Sequence, residues 1–368
     1  MGRTGFPSNV IGFAIGVPLI LAIGMLEALR PMGLSLPALT GGLLTLDTMI
    51  RVGLFTIILV GLNLLMGYAG QVSLGQAAFY GMGAFFSAIL TVRARTLSIP
   101  PALAETWWWP WVVMGMGALL VGMAAYGIGR PILRLRGHYL AMATLGLGIV
   151  VYILLRENMG LPHLNLTGGF DGIQGIPRLR LGGFLLWPAW RYYFLVWLFA
   201  FGAIALGLRV VHSRVGRALR AIHGSEIAAE SVGVEVPHYK AMIFGLSAAM
   251  AALAGSLYAH FQTTVIPATF GFGPSLELVV MSAVGGMASI WGAPFGALTI
   301  LLVQEALRTQ LHRVLPNAQG EFEAIAFGLI LVLIMMFLPD GLTVGGLRWL
   351  QSRPRLHIRF ARRSFKPG

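Results

Sequence analysis

Residues 52–84 read VGLFTIILVGLNLLMGYAGQVSLGQAAFYGMGA, from Val52 to Ala84. The first half, Val52–Met66, is a largely apolar run interrupted by Thr56 and Asn63, and it reads as the core of a membrane-spanning helix. Its second half keeps an apolar character but carries five glycines, two glutamines and a serine. Residues 61–83 therefore read equally as two spans joined by a turn or as one helix broken near Tyr68–Gln71. Glycine at this density lets helices approach closely, and it tolerates non-helical backbone where that backbone lines a cavity. Asn63, Gln71, Ser73 and Gln76 are costly against lipid, so they are expected to face the bundle interior and line a pathway.

The pattern repeats outward from this stretch. Further apolar runs fall at Val10–Leu26, Leu74–Leu90, Trp111–Ile128, Tyr139–Leu155, Tyr193–Leu208, Ala241–His260, Leu276–Ile290, Phe295–Leu307 and Ala324–Leu338. Residues 279–301 read as one bent span or two short ones. Apolar residues make up 57% of the 368, charged residues 11%, and mean hydropathy is +0.79, whereas soluble domains carry about 25% charged residues. The runs do not alternate as barrel strands do. The fold class is an all-α polytopic membrane protein of about ten transmembrane helices, within a range of eight to ten. Residues 1–340 form the membrane domain, 209–240 a loop within it, and 341–368 a basic tail. Val10–Met25 follows a single Arg3 without an obvious small-residue cleavage site and reads as a retained first span.

The net charge of +13 does not indicate nucleic acid, because the basic residues sit in short segments between spans. With the N-terminus placed inside, one side holds 16 of the 26 Lys and Arg against four of the 13 acids; the other holds ten against nine. This asymmetry predicts that both termini are cytoplasmic. Trp107, Trp108, Trp109, Trp111, Trp187 and Trp190 then form an aromatic belt at the outer interface. Ser73-Leu-Gly75 with Gly81 and Ala84 loosely echoes Ser289-Ile-Trp-Gly292 with Gly296 and Ala297. Paired interruptions of this kind point to a site at a repeat interface.

Among the polar segments, His212–Pro237 is the most informative. Arg214, Arg217 and Arg220, spaced by three, stack along one side of a helix. Ser225 is suited to an N-cap, Glu226 and Glu230 to the helix that follows, and Gly233 to a left-handed C-terminal cap. Pro237 is expected to prevent continuation. The product is a short capped helix presenting Ala228 and Ala229 to a partner; an ordinary positive-inside loop has the same composition. A second segment, Asn165–Pro177, carries glycines spaced as in an ordered turn series.

Absences narrow the chemistry. There is no cysteine, which removes disulfides and thiolate metal sites, and no metal-binding histidine pattern. Lys240 and Lys366 follow Tyr239 and Phe365, so no phosphate-binding GK[ST] loop exists and the chain is not itself a P-loop ATPase. No catalytic motif is found, and no catalytic residue is assigned. Asp47 with Arg51, and Glu305 with Gln304, are the main ionisable or polar pairs near apolar spans. A relay is open to either, but a structural pair or a helix-end position is the favoured reading for both.

Gly67-Tyr68-Ala-Gly70-Gln71-Val-Ser73-Leu-Gly75-Gln76-Ala-Ala-Phe79 resembles the hallmark of the branched-chain amino acid ABC importer permeases. Gly216-Arg217-Ala-Leu-Arg220 through Glu226, Ala228, Ala229 and Gly233 resembles their ATPase-coupling loop. Thr167-Gly-Gly-Phe-Asp171-Gly-Ile-Gln-Gly-Ile-Pro177 is similar to a segment of the same permeases. Two departures stand out: one extra residue separates Glu226 from Ala228 relative to the strict Glu-Ala-Ala form, a spacing these permeases share, and Gln76 stands where many relatives carry histidine.

The resemblance implies a permease bundle in a bacterial inner membrane, assembled with a second, paralogous permease subunit, two ATP-binding cassette subunits and a periplasmic solute-binding protein. ATP would be bound by the partner subunits and no cofactor by this chain. It implies branched-chain amino acids as the solute, although related permeases carry urea or short amides. An ion-coupled secondary transporter and an intramembrane enzyme are the rival readings. The first makes the capped helix incidental; the second needs converging ionisable residues at one membrane face.

Overall fold

In a computed structural model, residues 5–29, 40, 42–94, 97, 100–135, 137–158 and 165–314 are described, together with the isolated positions 37, 328, 329, 332 and 336. The expected span Ala324–Leu338 lies almost wholly outside the described residues, and the tail 341–368 lies entirely outside them.

Eleven helices carry the bundle among the described residues: α1 Gly5–Leu29, α2 Leu46–Asn63, α3 Gln76–Val92, α4 Trp109–Ile132, α5 His138–Arg156, α6 Ala189–His212, α7 Arg214–Gly224, α8 Glu226–Ser231, α9 Val236–Gln262, α10 Phe272–Gly285 and α11 Gly292–Val314. Among the described residues six segments are long and apolar enough to cross a membrane, and Gly12–Ala28 within α1 and Gln76–Val92 (α3) add two shorter apolar stretches. The protein is a multi-pass, all-helical membrane protein.

The helices run past the ends of the apolar runs. Helix α9 begins at Val236, five residues before the hydrophobic stretch, because Pro237 sits in its first turn, where the missing N–H is not needed. Pro237 therefore opens a helix, in addition to lying beyond the end of the preceding one, which stops at Ser231. Helix α2 is capped by Thr45, whose side chain accepts from Thr48 N at 3.1 Å, and its first turn pairs Asp47 with Arg51 at 2.9 Å.

Helix α2, with the π turn that continues it, is 89% buried over its most apolar window, against 17% for α5. Helix α2 is thus the axis of the bundle and α5 a peripheral span. The second central helix, α9, packs on α3 through backbone. A methyl group on Gly83 would stand 2.0 Å from Ala252 O, and one on Gly255 would stand 1.9 Å from Tyr80 O. Lipid gives no hydrophobic drive to bring helices together, so close small-residue packing supplies it. Ser256 Oγ donates to Gly83 O at 3.0 Å across the same seam.

At one end of the bundle the loops are ordered. β1 (Ile173–Gln174) pairs antiparallel with β4 (Thr264–Val265), and β2 (Arg180–Leu181) forms a hairpin with β3 (Phe184–Leu185). Asn165 Oδ1 accepts from Gly168 N at 3.0 Å, Ile173 and Ile176 are buried, and His260 of α9 bridges Ser87 Oγ (2.8 Å) and Pro177 O (2.6 Å). The glycine series is an ordered turn. Trp109 and Trp111, at the start of α4, donate their ring N–H to Leu90 O (3.1 Å) and Arg180 O (2.8 Å). Trp107, Trp108 and Trp187 remain exposed near this end.

Candidate functional site

Two helix–break–helix units face each other inside the bundle. In the first, α2 passes into a π turn at Leu64–Tyr68; residues 69–75 are then non-helical before α3 begins at Gln76. In the second, α10 ends at Gly285 and residues 286–291 turn the chain into α11. Both uncertain stretches of sequence thus resolve as two helices around a break, and the loose echo of Ser73-Leu-Gly75 in Ser289-Ile-Trp-Gly292 falls at the starts of α3 and α11. The breaks touch: a methyl group on Gly67 would lie 1.9 Å from Met287 O.

Asn63, fully buried, ties the units together. It donates from Nδ2 to Ser289 O at 2.9 Å and accepts on Oδ1 from Ser282 Oγ at 2.6 Å. Gln76, also fully buried, donates from Nε2 to Ser247 O (3.1 Å) and Ser247 Oγ (3.0 Å) on α9. Ser275 Oγ donates to Leu74 O at 2.5 Å and accepts from Ala77 N at 3.2 Å, so α10 holds the start of α3.

Gln71 and Ser73 differ. Both are buried in the first break, yet Gln71 Nε2, Gln71 Oε1 and Ser73 Oγ have no hydrogen-bond partner among the described residues. Buried polar groups are normally satisfied, and each unmet one costs about 1–3 kcal/mol. The four residues expected to face the interior are all buried: Asn63 and Gln76 act as clamps, although Gln76 Oε1 has no partner among the described residues, while Gln71 and Ser73 hold only unused polar atoms.

Beside the first break stands α7. A methyl group on Gly70 would lie 2.9 Å from His223 Nδ1, near the end of α7. Ser213 caps that helix by accepting from Val215 N at 3.1 Å, while Leu219 and Ile222 point inward. Arg214, Arg217 and Arg220 are exposed. Ser225 then caps α8, accepting from Ala228 N at 3.3 Å, and Gly233 takes φ +85° just beyond its end. Gly233 N donates to Glu230 O at 2.9 Å and Val234 N to Ala229 O at 3.0 Å, which closes the C-terminal turn.

The surface of this hairpin departs from expectation. Ala229 is buried in a small core with Ile222 and Val236, so only Ala228 of the pair is presented. The exposed apolar side chains are Ile227, 70% accessible, and Val232, 77%. Glu226 is paired within the chain to Lys240, whose side chain is almost fully buried at the start of α9. Sequence reasoning missed Lys240 as that partner, because 14 residues and a turn separate the two. It also missed Glu277, which accepts from Gln304 Nε2 at 2.5 Å across the second break, whereas Glu305 was the expected neighbour of Gln304.

A helical bundle with two touching interruptions, unpaired polar groups at one of them and a capped hairpin against it suits a membrane permease, and the comparison with known families shows that class. The chain belongs to the family described as the permease component of branched-chain amino acid transport systems, whose model matches residues 44–338. It is similar to the high-affinity branched-chain amino acid transport system permease protein LivM of Escherichia coli K12, with 29% identity over 86% of this chain and 72% of that one. It is also similar to the permease protein LivH of the same type of system in Salmonella typhimurium, at 25% identity over 78% of this chain and 90% of the relative. The L-arabinose transport system permease protein AraH of Escherichia coli K12 is 28% identical over 75% of this chain and 81% of its own length. No solved structure matches the chain.

Proposed function

We propose that the chain is the membrane-spanning subunit of an ATP-driven importer, moving branched-chain amino acids handed over by a periplasmic binding protein. It works with a second, paralogous permease and two ATPase subunits, which bind the ATP; both termini are cytoplasmic. The observation that carries this reading is the contact of Gly70 with His223, which sets the interior break directly on the α7–α8 hairpin. An ATPase docked on Ala228, Ile227 and Val232, flanked by Arg217 and Arg220 and by the Glu226–Lys240 pair, has a short mechanical route to Gln71 and Ser73. Gly233 fixes the end of the docking helix. The pathway runs past Gln71 and Ser73, with Asn63 and Gln76 as its fixed walls. The solute follows from the family and from the LivM-like and LivH-like relatives.

Uptake by the reconstituted complex tests this. Leucine, isoleucine and valine are expected to accumulate only with ATP and the binding protein present. Accumulation of urea or arabinose in their place overturns the solute; ATP-independent accumulation overturns the importer.

A further inference from the structure

Between α2, α3, α9, α10 and α11 lies a cavity of about 200 Å³. None of its lining residues lies in either break or in the α7–α8 hairpin, although Ala77 follows Gln76 at the start of α3. Its lining divides by chemistry: Leu54, Leu278 and Met281 are buried aliphatic side chains, whereas Arg51 and Glu277 place opposite charges on the same space. A pocket that is mostly apolar, with a few polar groups to fix orientation, is the usual form of a small-solute site. Ionisable side chains within a membrane bundle are costly unless they serve an ion or solute path.

Arg51 already has a countercharge in Asp47, but both side chains keep hydrogen-bonding atoms unused among the described residues. Arg51 gives its Nε to Asp47 at 2.9 Å and is half-exposed, which leaves the two terminal nitrogens of its guanidinium for a ligand. Glu277 accepts from Gln304 on Oε1, which leaves Oε2. Gln304 also lines the cavity, so α11 holds the carboxylate that α10 supplies.

We infer that this cavity binds an α-amino acid as its zwitterion, with the carboxylate on Arg51, the ammonium group on Glu277, and an aliphatic side chain against Leu54, Leu278 and Met281. The inference rests on the transport reading for its choice of solute class. A guanidinium matches a carboxylate in two parallel hydrogen bonds, and a carboxylate matches an ammonium group. A neutral sugar or urea would desolvate both charges and pair neither. An organic acid or an amine would pair only one.

The test is ligand-observed saturation-transfer NMR on the full-length chain in nanodiscs, with L-leucine as the probe. 4-Methylpentanoate and 3-methylbutylamine, each carrying one of the two charges, serve as competitors. Leucine is expected to bind, and Arg51→Met and Glu277→Gln each to weaken binding at least tenfold. Arg51→Lys is expected to retain part of it, and neither single-charge analogue to compete well.

Binding within twofold of wild type in both Arg51→Met and Glu277→Gln overturns the site. So does absence of wild-type binding, or equal competition by the analogues. If Arg51→Met fails to reach the membrane, the isosteric Glu277→Gln and the charge-preserving Arg51→Lys decide the matter. Leucine uptake by the assembled complex is scored separately. Uptake without charge-dependent binding removes the cavity and leaves the importer standing; charge-dependent binding without uptake does the reverse.

Discussion

The interior seam and the α7–α8 hairpin both depend on glycine, for opposite reasons. At Gly83 and Gly255 the requirement is space: backbone oxygens of the neighbouring helix stand where a methyl group would be, 2.0 and 1.9 Å away. At Gly233 nothing lies within 4 Å, and the requirement is a left-handed backbone at φ +85°. The seam is specified by close contact and cannot yield at one place without moving a helix. The hairpin is specified by local caps on an otherwise open surface. One is suited to holding a fixed arrangement, the other to presenting a face to something outside the chain.

The contrast predicts graded consequences. Replacing Gly255 by Val forces α3 and α9 apart along their whole seam, and overpacking of a tight core costs about 1–3 kcal/mol or more. Here the obstruction is backbone, so the upper end is expected. Folded chain in the membrane, measured by size-exclusion of a fluorescent fusion, should fall to a small fraction of wild type. Normal levels would show that the seam is looser than the structure describes.

Next come the paired polar substitutions Asn63→Leu and Gln71→Leu. Losing Asn63 strands Ser282 Oγ and removes the tie to Ser289 O, at about 1–3 kcal/mol. Losing Gln71 removes an amide with no partner among the described residues, so stability should hold or rise while transport falls. Melting in detergent and uptake in vesicles, measured on both variants, separate clamp from pathway. Equal destabilisation by the two would erase the distinction between them.

How much of this the sequence foretold differs between the two regions. The spans were legible because apolar runs near twenty residues have few alternatives in a protein of this composition. Ser225 and Gly233 were legible because caps are local, set by residues three or four apart. Ala229 was misread: caps place a helix but do not say which neighbouring element covers each face, and Ile222 and Val236 cover this one. Pro237 fits both a position beyond the end of one helix and the first turn of the next, and only the observed chain shows that it holds both. The Glu226–Lys240 and Glu277–Gln304 pairs lie across turns, where no helical or strand period applies. That Asn63 and Gln76 find partners while Gln71 and Ser73 find none depends on α9, α10 and the second break, all distant in sequence.

Within the hairpin the largest expected effect belongs to the buried cation. Glu226→Gln leaves the almost fully buried Lys240 without its countercharge. Breaking a buried pair costs about 3–5 kcal/mol, and the partial exposure of Glu226 places this case below that range. A drop in melting temperature is expected, and Lys240→Met introduced with Glu226→Gln should recover much of it. Failure of the double variant to recover would assign Glu226 a role other than neutralising Lys240. Gly233→Ile should cost less, about 1–2 kcal/mol for a β-branched residue held left-handed, confined to the end of α8. Limited proteolysis at residues 231–235 would report it.

The smallest effect on the fold is expected where the proposed effect on function is largest. Ile227 and Val232 extend from the hairpin with most of their surface accessible, and Ala229 beneath them keeps the local core closed. Changing both to Ser removes apolar surface without opening a cavity, stranding a buried polar group or altering either cap. Surface substitutions of this kind usually fall within about 0.5 kcal/mol. Melting temperature and membrane level should therefore match wild type, unlike those of the Gly255 and Asn63 variants. If the hairpin is the ATPase-docking face, the same variant should lose the co-purifying ATPase subunits and, with them, ATP-driven uptake. Retention of both in the Ile227→Ser, Val232→Ser double variant would move the docking surface elsewhere on the chain and leave the exposed side chains of α8 without a partner.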